Sequence, residues 1–233
     1  IRYWSRQPVT GDDDPLASIA TEVRQTASDE ARHTLLIQLA DAYRARDNLE
    51  EAQRHLNEAV ETRPDDLAVW ESLFDIAVLR DRDADADNCL NQIRRIEGPN
   101  GIRTKLCTAR LDMQKALQGD LSGIPAAREL LLQVAEALPE SARIRTLLAE
   151  VEEHLGRPDS AIDHYRAAID MGETDPRVVR RLVELLYARG RVVDAEVVIE
   201  RMLNGPQTAT GDIGRVAAIV SLHASRSDRA VEL

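Results

Sequence analysis

A pattern of small and large apolar residues that returns about every 34 residues constrains this chain more than any other feature. Its clearest copy runs from Leu36 to Pro64. Leu36, Leu39, Ala40 and Tyr43 are three or four residues apart and share one helix face. Ala52, Leu56 and Ala59 do the same on a second helix, and Asp47 and Asn48 break the apolar period between them. The small residues Ala40 and Ala52 let the two helix axes approach, and the larger side chains fill the space beside them. Pro64 stops the second helix, because it lacks an amide hydrogen and disfavours helix in the residue before it. One such hairpin cannot bury its own apolar face and needs a neighbouring copy.

This pattern resembles that of the tetratricopeptide repeat family, with Trp, Leu, Gly and Tyr on a first helix and Ala, Phe, Ala and Pro on a second. Leu36, Leu39, Ala40, Tyr43, Ala52, Leu56, Ala59 and Pro64 occupy those places. The resemblance implies an all-α fold, a right-handed α-solenoid of antiparallel helix pairs.

Further copies follow. Trp70, Leu73, Ala86 and Leu90 mark a second, with Phe74 where a small residue is usual and Ala77 where Tyr is usual, an exchange that preserves volume. The third is longer: its first helix falls near Ile102 to Leu117 in uncertain register, and its second holds Ala127, Leu131, Val134 and Pro139. Gly119, Asp120, Ser122, Gly123 and Pro125 mark an enlarged turn between them, read either as a tolerated insertion or as a recognition loop. Leu148, Ala149, Gly156, Ala161, Tyr165 and Ala168 mark a fourth, with Arg145 at the Trp place, and Leu182, Gly190, Ala195 and Ile199 a fifth. Gly156 and Gly190 suit the left-handed turn after a first helix.

The expected organisation is an irregular segment 1–14, a capping helix and lead-in 15–32, and an array over 33–233. Its repeats are 33–66, 67–100, 101–141, 142–175, 176–209 and the start of a sixth, 210–233. Tyr3 and Trp4 are read as packing on the first helices, or as following a removed membrane segment. Asp14 caps a helix opened by Pro15, and Ser28-Asp29 opens the next. An array cut inside a hairpin leaves Ile219, Val220 and Leu222 without a complete partner helix. The expectation is a fragment of a longer bacterial protein of this family, or a second copy that covers that end as a homodimer.

The formal net charge of −11 repels a phosphate backbone and disfavours general nucleic-acid binding and anionic membrane surfaces. No apolar run approaches the roughly 20 residues that span a bilayer. Aromatic residues are only 3%, which fits helix packing built on Ala and Leu rather than a sandwich or barrel. Cys89 and Cys107 form neither a disulfide framework nor a zinc set and are expected as small buried residues.

No catalytic constellation emerges: there is no phosphate loop, dinucleotide fingerprint or paired-histidine zinc motif. His33, His55, His154, His164 and His223 are scattered, and Glu152-Glu153-His154 is expected as a solvated charged face. No cofactor or metal is expected. Trp70, Phe74, Tyr43, Tyr165 and Tyr187 fall at or beside core places and are expected to pack inside.

In the family the first helices line a concave groove that holds an extended peptide or a helix. Carried over by register, the groove positions are Gln38, Asp41, Arg44, Glu71, Ser72, Asp75, Arg143, Glu150, Glu153, Arg177, Arg180, Arg181 and Glu184. It is acidic toward the first repeats and mixed to basic toward the last. Arg177, Arg180 and Arg181 lie within about one helical turn and suit bidentate capture of carboxylates. Read the other way, they are a solvated basic face that Glu184 partly neutralises. The Lys and Asn clamp that some members use for C-terminal peptides is not matched, since Ile37 and Asp41 stand in those places.

The resemblance therefore implies a non-catalytic scaffold that binds a peptide or protein segment. The alternative is a regulatory or substrate-recruiting arm of a larger enzyme whose catalytic domain lies outside this chain. RNA binding is the third reading, disfavoured by acidity and by the lack of a repeated base-reading pair.

Overall fold

The structure is a computed structural model that describes residues 14–26 and 28–203. The sixth repeat, the homodimer contact at its end and the packing of Tyr3 and Trp4 concern residues outside these. Among the described residues there are eleven helices and no strand. A single helix α1 (Pro15–Thr26) is followed by α2 (Asp29–Arg44), α3 (Leu49–Thr62), α4 (Leu67–Leu79), α5 (Asp83–Glu97) and α6 (Ile102–Leu117). Then come α7 (Ile124–Ala137), α8 (Ala142–His154), α9 (Pro158–Asp170), α10 (Pro176–Ala188) and α11 (Val192–Leu203). Within each unit the helices pair as antiparallel hairpins of the α-solenoid type, the fold class that the repeat implies: α2 with α3 and α4 with α5 in the first, α8 with α9 and α10 with α11 in the second. The chain divides into two units, with the division after Gln114 inside α6.

The helices begin where a side chain satisfies the first free amides. Ser28 accepts from the Ala31 amide, Asn48 from Glu51, Ser141 from Ile144, and Asp66 from both Ala68 and Val69. Asp14 caps α1 through the Leu16 amide, with Pro15 at the first helical position. Pro125 likewise stands in the first turn of α7, so the enlarged turn is limited to residues 118–123.

Helices α2, α4, α6, α8 and α10 end in one motif. The Asn48 amide donates to the Tyr43 carbonyl at 2.9 Å, and the Asp47 amide to Arg44 at 2.9 Å, around Asp47 at φ 60°. The same pair of bonds recurs around Asp81, Gly119, Gly156 and Gly190, all at positive φ. Two of the five carry Asp, which tolerates the left-handed region better than most side chains do.

In the first unit one apolar core runs from Leu16, Ala20 and Val23 of α1 to Cys107 and Leu111 of α6. Phe74 and Ala77 are both buried, so the large side chain sits one turn earlier than in the neighbouring copy and fills the same layer. Trp70 is only partly buried, and its indole donates to the Pro64 carbonyl at 2.8 Å. Cys89 and Cys107 are free and buried, and burial first of all pushes the Cys89 thiol up to about 12. The second unit has its own core, centred on Tyr165, Leu182 and Leu186.

Glu152 corrects an expectation. Its side chain is 1% exposed rather than solvated, and Oε1 accepts from Arg128 Nε at 2.6 Å. Among the described residues no group of three or more His, Cys, Asp or Glu is placed to hold a metal ion.

Candidate functional site

The groove positions fall on the first helices of the pairs. On α2, Gln38 and Asp41 are exposed and Arg44 is half-buried, with Arg44 Nη1 4.0 Å from Asp41 Oδ1. Leu36, Leu39, Ala40 and Tyr43 commit the other side of α2 to the core. Asp41 and Arg44 line an open depression of about 570 Å³ with Asp47, Leu49 and Leu79. Leu79 is 64% exposed, the single large apolar side chain of that rim left facing water to this degree.

On α4, Glu71 and Asp75 are half-buried rather than open. Arg103 Nε donates to Glu71 at 3.2 Å, and Arg110 pairs with Asp75. Arg110 also lies 5.2 Å from the centroid of the buried Phe74 ring, an arrangement that adds a cation–π attraction. Gln114 donates to Asp81 one turn further along. The acidic character expected of the first repeats is thus neutralised at α4 by a ladder from α6. Arg103 and Arg110 are not among the groove positions carried over by register. Their signal is a spacing of about one repeat, since hydrogen-bond partners stand 32 and 35 residues apart.

In the second unit, Arg143 of α8 is exposed and Glu150 half-buried. On α10 the side chains of Arg177 and Arg180 are 84% and 58% exposed. Val179, Leu182, Val183 and Leu186 of the same helix are buried, so the arginines stand on its free face. Arg177 is held by the cap residue Asp175, Nη2 to Oδ2 at 2.7 Å, which is the main reason its pKa is raised. Arg180 Nε is 3.8 Å from Glu184 Oε1.

Arg181 has a different role. Its Nε donates to Glu153 Oε2 at 2.6 Å and its Nη1 to Glu184 Oε2 at 3.1 Å. Tyr165 holds the other oxygen of Glu153 at 2.8 Å. The hydrogen bond to Glu153 is the chief cause that raises the Arg181 pKa. Arg181 therefore fastens α10 to α8, while Arg177 and Arg180 point outward. Glu184 supplies one carboxylate oxygen to each of two guanidinium groups, Arg180 and Arg181.

Ion pairs also join the later pairs away from this face. Arg189 reaches Asp159 at 2.5 Å, Arg166 reaches Asp194 at 2.9 Å, and Arg201 pairs with Asp170. Such exposed pairs contribute little to stability because water and salt screen them.

Three family models, each described as tetratricopeptide repeat, match residues 33–76, 117–176 and 154–210. No curated protein matches the sequence. Among solved structures, a thermophilic TPR protein from Thermus thermophilus is similar at a TM-score of 0.68 and 16% identity, covering 82% of this chain and 99% of that one. Pseudomonas aeruginosa PilF is similar at 0.62 and 18% identity, covering 88% and 91%. A TPR protein from Parabacteroides merdae is similar at 0.62 and 19%, covering 92% and 82%.

Proposed function

The chain belongs to the tetratricopeptide repeat family, and from that premise we propose that it is a non-catalytic scaffold that holds a peptide or protein segment along the first helices of its repeats. Repeats of this family serve as protein-interaction scaffolds. The observation that carries the finer reading is the α10 face. Its apolar side is spent on the core, yet Arg177 and Arg180 stand 84% and 58% exposed on the other side. Glu184, 3.8 Å from Arg180, is a surface carboxylate that a ligand carboxylate displaces at small cost, whereas Arg177 stays held by Asp175 and adds positive charge beside it.

The depression beside Asp41 and Arg44 adds a place for an apolar side chain, against Leu49 and Leu79, within the first unit. A net charge of −11 supports a protein partner rather than nucleic acid. Among the described residues no helix is long and apolar enough to cross a membrane. The reading requires no cofactor or metal.

The test uses the chain as bait in lysate of its source, beside the Arg177→Glu/Arg180→Glu variant. Arg181 is left intact because it joins α10 to α8. The expected result is a retained protein that the variant loses at unchanged helicity and Tm. Equal retention by both removes the α10 face from the function.

A further inference from the structure

His55 of α3 is fully enclosed, and neither of its ring nitrogens has a hydrogen-bond partner. The ring stacks on Tyr43, with centroids 5.3 Å apart and planes at 21°. Each nitrogen faces a carboxylate that stands too far away to bond: Nε2 is 3.9 Å from Glu51 Oε2, and Nδ1 is 4.0 Å from Glu58 Oε1.

The neighbours of this ring are the residues that fasten α1. Glu58 accepts from Arg24 of α1 at both oxygens, 2.8 Å from Nε and 2.6 Å from Nη2. Tyr43 donates to Asp14, the cap of α1, at 2.9 Å, and Asp14 also accepts from Arg46 at 2.8 Å. Leu16, Ala20 and Val23 of α1 complete the first core. An enclosed, unbonded imidazole thus touches both fastenings of the helix that begins the described fold.

We propose that His55 is an acid-operated latch: protonation of its enclosed ring releases α1 from the first helix pair and uncovers the apolar surface that Leu16, Ala20 and Val23 cover. The cause is burial. A charged ring without a hydrogen-bond partner is costly in an apolar enclosure, whereas a ring that reaches water takes up a proton at the ordinary histidine value. A positive His55 also competes with Arg24 for Glu58 and repels the Arg24 guanidinium.

The charged groups around the ring act in both directions. Burial is the largest influence and lowers the His55 pKa; Glu58 and Glu51 oppose it, and Arg24 and Arg54 reinforce it. Tyr43 stays neutral, its pKa raised by burial and by Asp14. Because the docked ring binds protons more weakly than the released ring, docking is complete above the ordinary histidine value near 6.5. It weakens as pH falls from there through the lower docked value, by up to about tenfold per pH unit for one proton. The fastenings themselves do not titrate in that window. Burial raises the carboxyls of Glu58 and Asp14, but Arg24 and the nearby positive charges at Glu58, and Arg46, the Leu16 amide and Tyr43 at Asp14, together more than offset it, and both end below their ordinary values.

The test is hydrogen exchange of the α1 amides in the full chain between pH 7.5 and 5, corrected for intrinsic rates, alongside the NMR titration of the histidine rings. The expected result is a roughly tenfold fall in α1 protection that follows the His55 ring, while α5 and α6, which hold no histidine, keep theirs. His55→Phe keeps the stack on Tyr43 and makes α1 protection independent of pH. Constant α1 protection in the wild type overturns the proposal, as does an equal fall in His55→Phe. Should that variant fail to fold, the wild type alone decides: a fall in α1 protection that follows the His33 ring instead of His55 overturns it.

Discussion

The Arg110 guanidinium lies over the Phe74 ring, 5.2 Å from its centroid, and pairs with Asp75, the neighbour of that phenylalanine. A residue of α6 thus reads two consecutive residues of α4. Both charged side chains are mostly covered, at 14% and 17% exposure, so removing one leaves the other poorly solvated. Arg110→Met is expected to lower stability by about 2 kcal/mol, and a double-mutant cycle with Asp75→Asn to show coupling of about 1 kcal/mol. Urea denaturation of the four proteins measures both.

The exchange of large and small residues at positions 74 and 77 predicts strong non-additivity. Phe74→Ala opens a cavity in a fully buried site and costs about 3–5 kcal/mol. Ala77→Tyr alone overpacks the same layer and costs about 1–3 kcal/mol. The double variant restores the family arrangement and is expected to cost clearly less than the sum, as thermal melts of all three will show.

The turns give a prediction of opposite signs. Asp47 holds φ 60° and Gly156 φ 69° in the same hydrogen-bonded motif. Asp47→Gly relieves the left-handed strain and is expected to stabilise by about 0.5 kcal/mol. Gly156→Ala meets open space but must hold the disfavoured left-handed conformation, and is expected to cost about 1 kcal/mol. Chemical denaturation resolves both.

These turns also show how far the sequence was readable. Gly156 and Gly190 announce a left-handed residue, because glycine adopts it without strain. Asp47 and Asp81 do the same work, but in sequence Asp47 only breaks the apolar period and Asp81 carries no signal of its own. The core of the first hairpin followed from spacing alone, since helix periodicity fixes which residues share a face. The pairing of Glu71 and Asp75 with Arg103 and Arg110 did not, because it depends on the register of α6 against α4. Glu152 reads as solvated because charge in sequence gives no sign of a neighbouring helix, whereas in the fold it is 1% exposed and paired with Arg128 of α7.

Asp66 couples the second helix pair to the first and makes that coupling sensitive to acid. His33 of α2 lies 2.9 Å from Asp66 Oδ2, while Oδ1 caps α4. Burial alone raises the Asp66 carboxyl, but the bond to His33 and the two α4 amides bring it below its ordinary value. A carboxyl lowered by folding contributes stability above its unfolded value, near 3.9, and loses it as pH falls through the folded value. Asn caps α4 as well as Asp does, so Asp66→Asn is expected to cost about 1 kcal/mol at pH 7, from the charge-assisted bond to His33, and almost nothing once the wild-type carboxyl is protonated. Denaturation at pH 7 and at successively lower pH tests the difference, which should shrink as the carboxyl takes up its proton.

The central claim is that a protein segment lies on the first helices, and site-specific photo-crosslinking tests it most directly. A photoreactive residue at Arg180 of α10 is compared with one at Asp163, exposed on the second helix α9, in lysate of the source. The account predicts a crosslinked protein at position 180 that position 163 does not capture. Capture at 163 alone, or of the same proteins from both positions, contradicts it.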